Sequence, residues 1–218
     1  MKIFTLFLFL FLSFSGYTQK FIEDKKLADS KEYRSLEDAL EKPLKVLKLN
    51  LKRYNNAVLS PEIGKLKNLV KLELNANRLK NLPHEIGRLK NLQYLDLSFS
   101  KYIDMNKAAE VYTKCTNLQY LNLSDNQIKQ LPQSISKLKN LKFIDLSYNK
   151  GINVKQLISV LSKTQVEVLI LADNNLTDIP ASIAELKSLK ELYLQYNPLT
   201  DTQKAKLQEL LPDTKIVF

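Results

Sequence analysis

Apolar and polar positions alternate along this chain in a pattern that returns every 23 to 26 residues, and residues 118–138 hold one complete copy. Written as LxxLxLxxNxLxxLPxxIxxL, this copy begins at Leu118 and includes Asn126. Seven apolar residues lead the copies: Leu44, Leu69, Leu92, Leu118, Leu141, Val166 and Leu189. Because the seven copies keep one register, the chain of 218 residues is predicted to form one elongated repeat domain.

Each copy is predicted to begin with a short β-strand that ends in a turn. The second and third apolar residues lie two positions apart, so both point to one side of the strand, and parallel stacking buries them together. In the first copy this assigns Leu47 and Leu49 to the core. Eight positions after the leading residues stand Lys52, Asn77, Ser100, Asn126, Asn149, Asn174 and Asn197. The asparagines are expected to satisfy backbone groups at the strand ends, with irregular turns at Lys52 and Ser100.

The second half of each copy comes in two types, and both ends of the array carry helix signals. Copies with an apolar-proline pair favour an extended or single-turn connection. The longer copies are predicted to be helical over residues 106–115 and 154–162. A helix that begins after Ser35 is expected to cover the first copy, and Thr200 is expected to open a helix that covers the last. Residues 215–218 are predicted to add a terminal strand.

The copies at Leu69, Leu118 and Val166 resemble the leucine-rich repeat family, and the resemblance covers residues 44–218. It implies an α/β fold, a curved right-handed superhelical solenoid with a concave parallel β-sheet and helical, 3₁₀ or extended convex segments. It also implies a role in binding proteins or peptides, with no enzyme activity and no catalytic residues. Fold analogy does not identify the partner.

The first residues of the chain have the parts of a secretory signal peptide. A charged start is followed by the apolar run 3–14 and by small polar residues, with cleavage expected after Ser15 or Thr18. Cys115 is the only cysteine and is predicted to be a buried apolar residue, so no intramolecular disulfide forms. We therefore expect an exported bacterial protein, in the periplasm, secreted or at the cell surface. The predicted division is 1–18 signal peptide, 19–43 N-terminal segment and capping helix, 44–199 seven repeats, and 200–218 C-terminal cap helix and terminal strand.

The charge and the inventory of reactive side chains argue against several classes of function. The net charge of +10 comes from 33 Lys+Arg against 23 Asp+Glu, scattered through the repeats, which favours a solvated basic surface over a nucleic acid partner. The single histidine, His84, and the single cysteine support no catalytic triad or metal cluster, and no Gly-rich phosphate loop occurs. We expect no enzyme activity, no cofactor, no transmembrane segment in the mature chain, and a monomer.

The residues beside the core leucines are the candidate partner-binding residues of the concave face. Their aromatic rings are expected to be exposed. Exposed aromatic side chains with nearby acids and amides are typical of binding hot spots, although cross-strand packing is the structural alternative. The candidates are Tyr94, Asp96, Phe99, Tyr120, Asn122, Phe143, Asp145, Tyr148, Tyr193 and Tyr196. They predict a protein or peptide partner; the alternative is an envelope glycan that stacks on Tyr94, Tyr120 and Phe143.

Overall fold

The computed structural model describes residues 25–54 and 56–218, so the predicted signal peptide lies outside the described residues. Within that part of the chain, nine strands form one parallel sheet in sequence order. The strands are β1 (Glu32–Tyr33), β2 (Lys48–Asn50), β3 (Lys71–Glu73), β4 (Tyr94–Asp96), β5 (Tyr120–Asn122), β6 (Phe143–Asp145), β7 (Val168–Ile170), β8 (Glu191–Tyr193) and β9 (Lys215–Val217). The leucine-rich repeat solenoid predicted from the sequence is confirmed.

From the second repeat on, the convex side alternates between two kinds of helix, as the two kinds of repeat predict. The α-helices are α1 (Lys25–Ala28), α2 (Leu36–Leu40), α3 (Met105–Tyr112), α4 (Val154–Leu161) and α5 (Asp201–Leu210). The 3₁₀ helices are Pro43–Lys45, Pro61–Lys65, His84–Arg88, Gln133–Lys137 and Ala181–Glu185. Asp104 and Asn153 cap α3 and α4 through their side chains. Three of the 3₁₀ helices have proline as the capping residue, whose fixed φ suits a single turn.

The main core lies between the sheet and the convex helices. The central strand residues Leu72, Leu95 and Leu121 are fully buried in it, as the alternation of apolar positions predicts. Cys115 is also fully buried, and burial raises the pKa of its thiol to about 11. The prediction that Cys115 acts as a small apolar core residue is therefore confirmed.

A ladder of asparagine side chains closes the carboxyl ends of the strands. The Asn149 amide nitrogen lies 3.1 Å from the carbonyl oxygens of Leu123 and Leu146, while its amide oxygen accepts from the backbone N–H groups of Asn126 and Ile128. The predicted irregularity at Ser100 is confined to its side chain. The Ser100 backbone N–H donates to the Asn126 side chain, as in the regular repeats, but the Ser100 hydroxyl donates to the Ser98 carbonyl oxygen of its own repeat and does not replace an asparagine amide toward the preceding repeat.

The first repeat lies two residues away from its predicted register. Leu49 pairs with Leu72, so Val46 is the leading residue, and Leu44 is 63% exposed. The predicted core position of Leu47 and the predicted ladder position of Lys52 are therefore both wrong. A shift of two residues keeps every side chain on the same face of the strand, so alternation alone allows both registers.

Both ends of the sheet carry an extra strand and a helix. Ser35 caps α2 by accepting from the Asp38 backbone N–H, and Thr200 forms the predicted capping box with Gln203 at α5. Strand β9 pairs in the predicted register with β8 at the C-terminal end. Strand β1, which the sequence did not predict, pairs with β2 at the N-terminal end. Across residues 25–54 and 56–218, no helix has the length and apolarity needed to cross a membrane.

A candidate binding surface on the concave face

The side chains on either side of each central core leucine point to the concave face. In-step pairing places Tyr94 beside Tyr120 and Tyr120 beside Phe143 on three neighbouring strands. The ring centroids of these residues are 4.1 and 4.2 Å apart, and the planes differ by 8° and 11°. At the N-terminal end of the row, the Lys71 ammonium lies 4.9 Å from the Tyr94 ring centroid. The three rings therefore form one stacked row, as strand spacing of about 4.8 Å favours.

The row belongs to a second hydrophobic cluster, separate from the main core. Its members are Tyr94, Tyr120, Phe143, Val168, Ile170, Ala172 and Tyr193. Tyr94 and Tyr120 are each 5% exposed and Phe143 is 0% exposed, so the expectation of exposed rings is wrong. Burial also raises the pKa of the two tyrosine phenols well above their usual range. Cross-strand packing, the structural alternative, is thus present in this row.

Two carboxylates lie beside the stacked rings. The Asp96 carboxylate accepts from the backbone N–H and hydroxyl of Ser98, and the Asp145 carboxylate accepts in the same way from Ser147. Burial raises the pKa of both acids to about 6, although these hydrogen bonds lower it. Asn122 stands between them on β5 and accepts from the Ser124 backbone N–H with its amide oxygen. The position that Asp96 and Asp145 occupy on their strands therefore accepts a neutral amide on the strand between them.

Asp96→Asn is expected to raise the free energy of unfolding at pH 8 by about 2 kcal/mol. The raised pKa means that the folded state binds the Asp96 proton more tightly than the unfolded state. Stability contributed by this group is therefore present at low pH and is lost as the pH rises toward 6. The gain from asparagine should grow between pH 4 and 6 and then remain constant.

Urea unfolding of both proteins at pH 4, 6 and 8 measures this difference. The reverse exchange, Asn122→Asp, is the matched control and should lower stability at pH 8. An Asp96→Asn gain that is the same at all three pH values would contradict the assigned cause.

The turn that follows each strand places aromatic residues at the rim of the concave face. The residue directly before each position of the asparagine ladder has a positive φ in successive repeats: Arg53, Ala76, Phe99, Asp125, Tyr148, Asp173 and Tyr196. Bulky residues adopt this left-handed conformation at a cost of about 1–2 kcal/mol, whereas Asp and Asn tolerate it more readily. The aromatics Phe99, Tyr148 and Tyr196 nevertheless occupy alternate repeats. Backbone conformations of this kind, kept despite their cost, are a reason to look for function at the same place.

An open cleft of about 580 Å³ lies at this rim. Its lining residues are Phe99, Asp125, Gln127, Lys129, Tyr148 and Lys150. The Lys150 ammonium lies 3.7 Å from the Asp173 carboxylate, and the Lys129 ammonium donates to the Lys150 carbonyl oxygen. The cleft thus has aromatic residues of two repeats, one acid and two cations that are held by their neighbours.

The structure divides the ten candidate residues into three groups. Tyr94, Tyr120, Phe143 and Tyr193 belong to the second hydrophobic cluster, with Asp96, Asn122 and Asp145 on the same strands. Phe99 and Tyr148 line the rim cleft. Tyr196 lies two repeats beyond Tyr148 on the rim and is 54% exposed.

Sequence reasoning did not include four cleft residues among the candidates: Asp125, which precedes an asparagine position, and Gln127, Lys129 and Lys150. The last three follow the asparagine position of their repeats, and the turn conformation places them beside the aromatics. In the part of the chain that the structure describes, no group of three or more His, Cys, Asp or Glu side chains is placed to hold a metal ion.

A stack of parallel strands with 3₁₀ and α-helical convex segments and asparagine-closed turns defines a leucine-rich repeat solenoid. Family models described as "Leucine rich repeat" and "Leucine Rich repeats (2 copies)" match residues 108–150 and 164–209. The chain belongs to the leucine-rich repeat family. Proteins of this family generally mediate protein–protein binding and are typically non-catalytic.

Three solved structures are similar to this chain. A leucine-rich repeat protein of Leptospira interrogans is 31% identical over 86% of this chain and 58% of its own, with a TM-score of 0.52. Internalin C2 of Listeria monocytogenes is 22% identical over 92% of this chain and 94% of its own, with a TM-score of 0.56, which supports the fold alone. TLR13 in a complex with ssRNA13 is 25% identical over 81% of this chain, with a TM-score of 0.62.

The chain spans 58% of the Leptospira protein and 26% of TLR13, so it corresponds to part of each. A comparison with curated proteins gives no match.

Proposed function

We propose that this chain is an exported, non-catalytic binding module that recognises a protein or peptide partner through its concave face and the rim cleft. The observation that carries the proposal is the alternation of Phe99, Tyr148 and Tyr196 in the left-handed conformation at the strand ends. The aromatics persist in three repeats where the backbone favours smaller polar residues. Binding supplies a reason for their presence that turn geometry does not.

The chemistry of the rim cleft suits a segment with an apolar side chain between polar or charged groups. Phe99 and Tyr148 offer the large, rigid contact area that dominates binding energy in protein interfaces. Asp125, Lys129 and Lys150 offer partners for charges of either sign. The stacked row of Tyr94, Tyr120 and Phe143 supports the surface behind the rim and keeps it rigid.

The proposed site of action is the bacterial periplasm or the cell surface. The charged start, apolar run and small-residue exit at the N-terminus support export. The single cysteine agrees with a bacterial envelope protein, since the repeats are held by packing and asparagine bonds rather than by disulfides. We propose that the module acts as a monomer.

A photoreactive benzoylphenylalanine at position 148 tests the proposed surface, since it replaces one aromatic ring with another. In intact cells of the source bacterium, it should crosslink one protein partner, identified by mass spectrometry and confirmed by titration with the purified protein. The same residue at Glu110, on the convex helix α3, is the control. Identical products from both positions, or no protein product from position 148, would contradict the proposal. A glycan-linked product would instead support the alternative of an envelope glycan as the partner.

A further inference from the structure

Basic residues line one edge of the solenoid, where the chain leaves the convex side and enters each strand. Six segments form this edge: 65–68, 88–91, 114–117, 137–140, 162–165 and 185–188. Their charged residues are Lys65, Lys67, Arg88, Lys90, Lys114, Lys137, Lys139, Lys163, Lys187 and one acid, Glu185. All nine basic residues are exposed. Lysines that look scattered in the sequence are therefore collected on one edge, which we name the basic edge.

A second ladder of asparagines fixes the position of the basic edge. The Asn91 amide donates to the Lys67 carbonyl oxygen of the preceding repeat, and the Asn117 amide donates to the Lys90 carbonyl oxygen. Two of the cations have structural roles there, since the Lys90 and Lys139 ammonium groups donate to backbone carbonyls of the next repeat. The backbone of the edge is therefore ordered, and the segments of neighbouring repeats follow one another at the strand spacing of about 4.8 Å.

Few acids neutralise the basic edge. Among the described residues, only Lys65 of these nine forms a salt bridge, with Glu62 three residues before it. Lys114, Lys137 and Lys163 have no carboxylate within salt-bridge distance in the described part of the chain, and their ammonium groups donate no hydrogen bond there. Five repeat spacings of about 4.8 Å make the strip roughly 24 Å long.

An exposed leucine continues the basic edge at its N-terminal end. The Asn68 amide donates to the Leu44 carbonyl oxygen, in the same arrangement that links the later repeats, so Leu44 lies on this edge. The Leu44 side chain is 63% exposed, and the exposed residues Lys42 and Lys45 flank it. An apolar residue between lysines is the composition of a segment that enters the interface of an anionic membrane.

We propose that the basic edge docks the protein on a membrane surface through anionic lipid headgroups, with Leu44 entering the interface. Lysine clusters of this size attract anionic lipids as point charges. Eight of the nine basic residues are Lys, and the six segments contain no aromatic residue. Nucleic acid sites rely more on arginine forks and stacking rings, so this composition favours lipid headgroups. The basic edge lies at the starts of the strands and not on the concave face. A protein that docks on a membrane through this edge therefore keeps its concave face open to a partner.

Sedimentation with vesicles tests the proposal on the processed protein recovered from an export host. Vesicles of phosphatidylcholine and phosphatidylglycerol at a ratio of about 7:3 should bind it at low salt, and binding should be lost near 0.5 M salt as charges are screened. Vesicles of phosphatidylcholine alone should not bind it. The triple variant Lys114→Gln, Lys137→Gln, Lys163→Gln should weaken binding about 100-fold.

A matched triple variant separates the basic edge from net charge. The control combines Lys80→Gln, Lys155→Gln and Lys206→Gln, three positions away from the basic edge. It removes the same positive charge and should weaken vesicle binding less than about fivefold. Leu44→Ser should weaken vesicle binding but leave unchanged any binding of a soluble polyphosphate. Equal losses from both triple variants would overturn the proposal. Edge-dependent binding of polyphosphate without binding of anionic vesicles would overturn it as well. Circular dichroism melting confirms that each variant is folded.

Discussion

Replacing Asn149 with alanine is expected to lower the free energy of unfolding by about 4 kcal/mol. The Asn149 side chain is fully buried and serves backbone groups of two adjacent repeats. Its removal leaves the Leu123 carbonyl oxygen and the N–H groups of Asn126 and Ile128 without these partners, whereas the Leu146 carbonyl oxygen still accepts from the Asn174 amide. Buried backbone groups without partners carry their full desolvation cost.

The control for this prediction is Asn140→Ala on the opposite edge. The Asn140 side chain is exposed and makes one hydrogen bond, from its amide to the Thr116 carbonyl oxygen, so water replaces that bond at a cost of about 1 kcal/mol. Urea unfolding followed by circular dichroism gives both free energies. If the two variants lose equal stability, the ladder at the strand ends is not the source of the effect.

The stack itself could be predicted because its physics repeats. Leu95, Leu121 and their equivalents must be buried at every step, so one period fixes strands, core and helix positions together. The register of the first repeat could not be predicted in the same way. Two registers of the first repeat have the same alternation of apolar positions. One is the predicted register beginning at Leu44, and the other, two residues later, uses Val46, Leu49 and Leu51. Pairing of Leu49 with Leu72 decides between them, and that contact is not local in sequence.

The sequence predicts which candidate residues are neighbours on adjacent strands, but it does not predict how exposed their side chains are. The sequence correctly aligns Tyr94, Tyr120 and Phe143, because they hold one place in successive repeats. Their low exposure depends on what packs against them across the sheet, which the repeat pattern does not encode. The basic edge was missed for a related reason. Its lysines are spread over more than a hundred residues of chain, and only the stacking brings them together.

The variant Phe99→Ala, Tyr148→Ala is expected to weaken partner binding at least about 100-fold, because two aromatic hot-spot residues are lost together. Both residues line the rim cleft and come from alternate repeats. Alanine is compatible with the left-handed conformation at this position, since Ala76 adopts it with a φ of 57° in an earlier repeat. The variant should therefore remain folded, and a loss of affinity reports on recognition rather than on the turn.

The matched control removes two exposed apolar side chains elsewhere, through Tyr102→Ala and Val58→Ala. Neither residue lines the cleft, so the affinity of the control for the partner captured at position 148 should change by less than about threefold. Calorimetric titration with the purified partner measures both variants, and urea unfolding verifies their stability. Equal affinities of the cleft variant and the unmodified protein would remove the rim from the recognition surface. A loss of binding in the control as well would mean that recognition is not confined to the rim cleft.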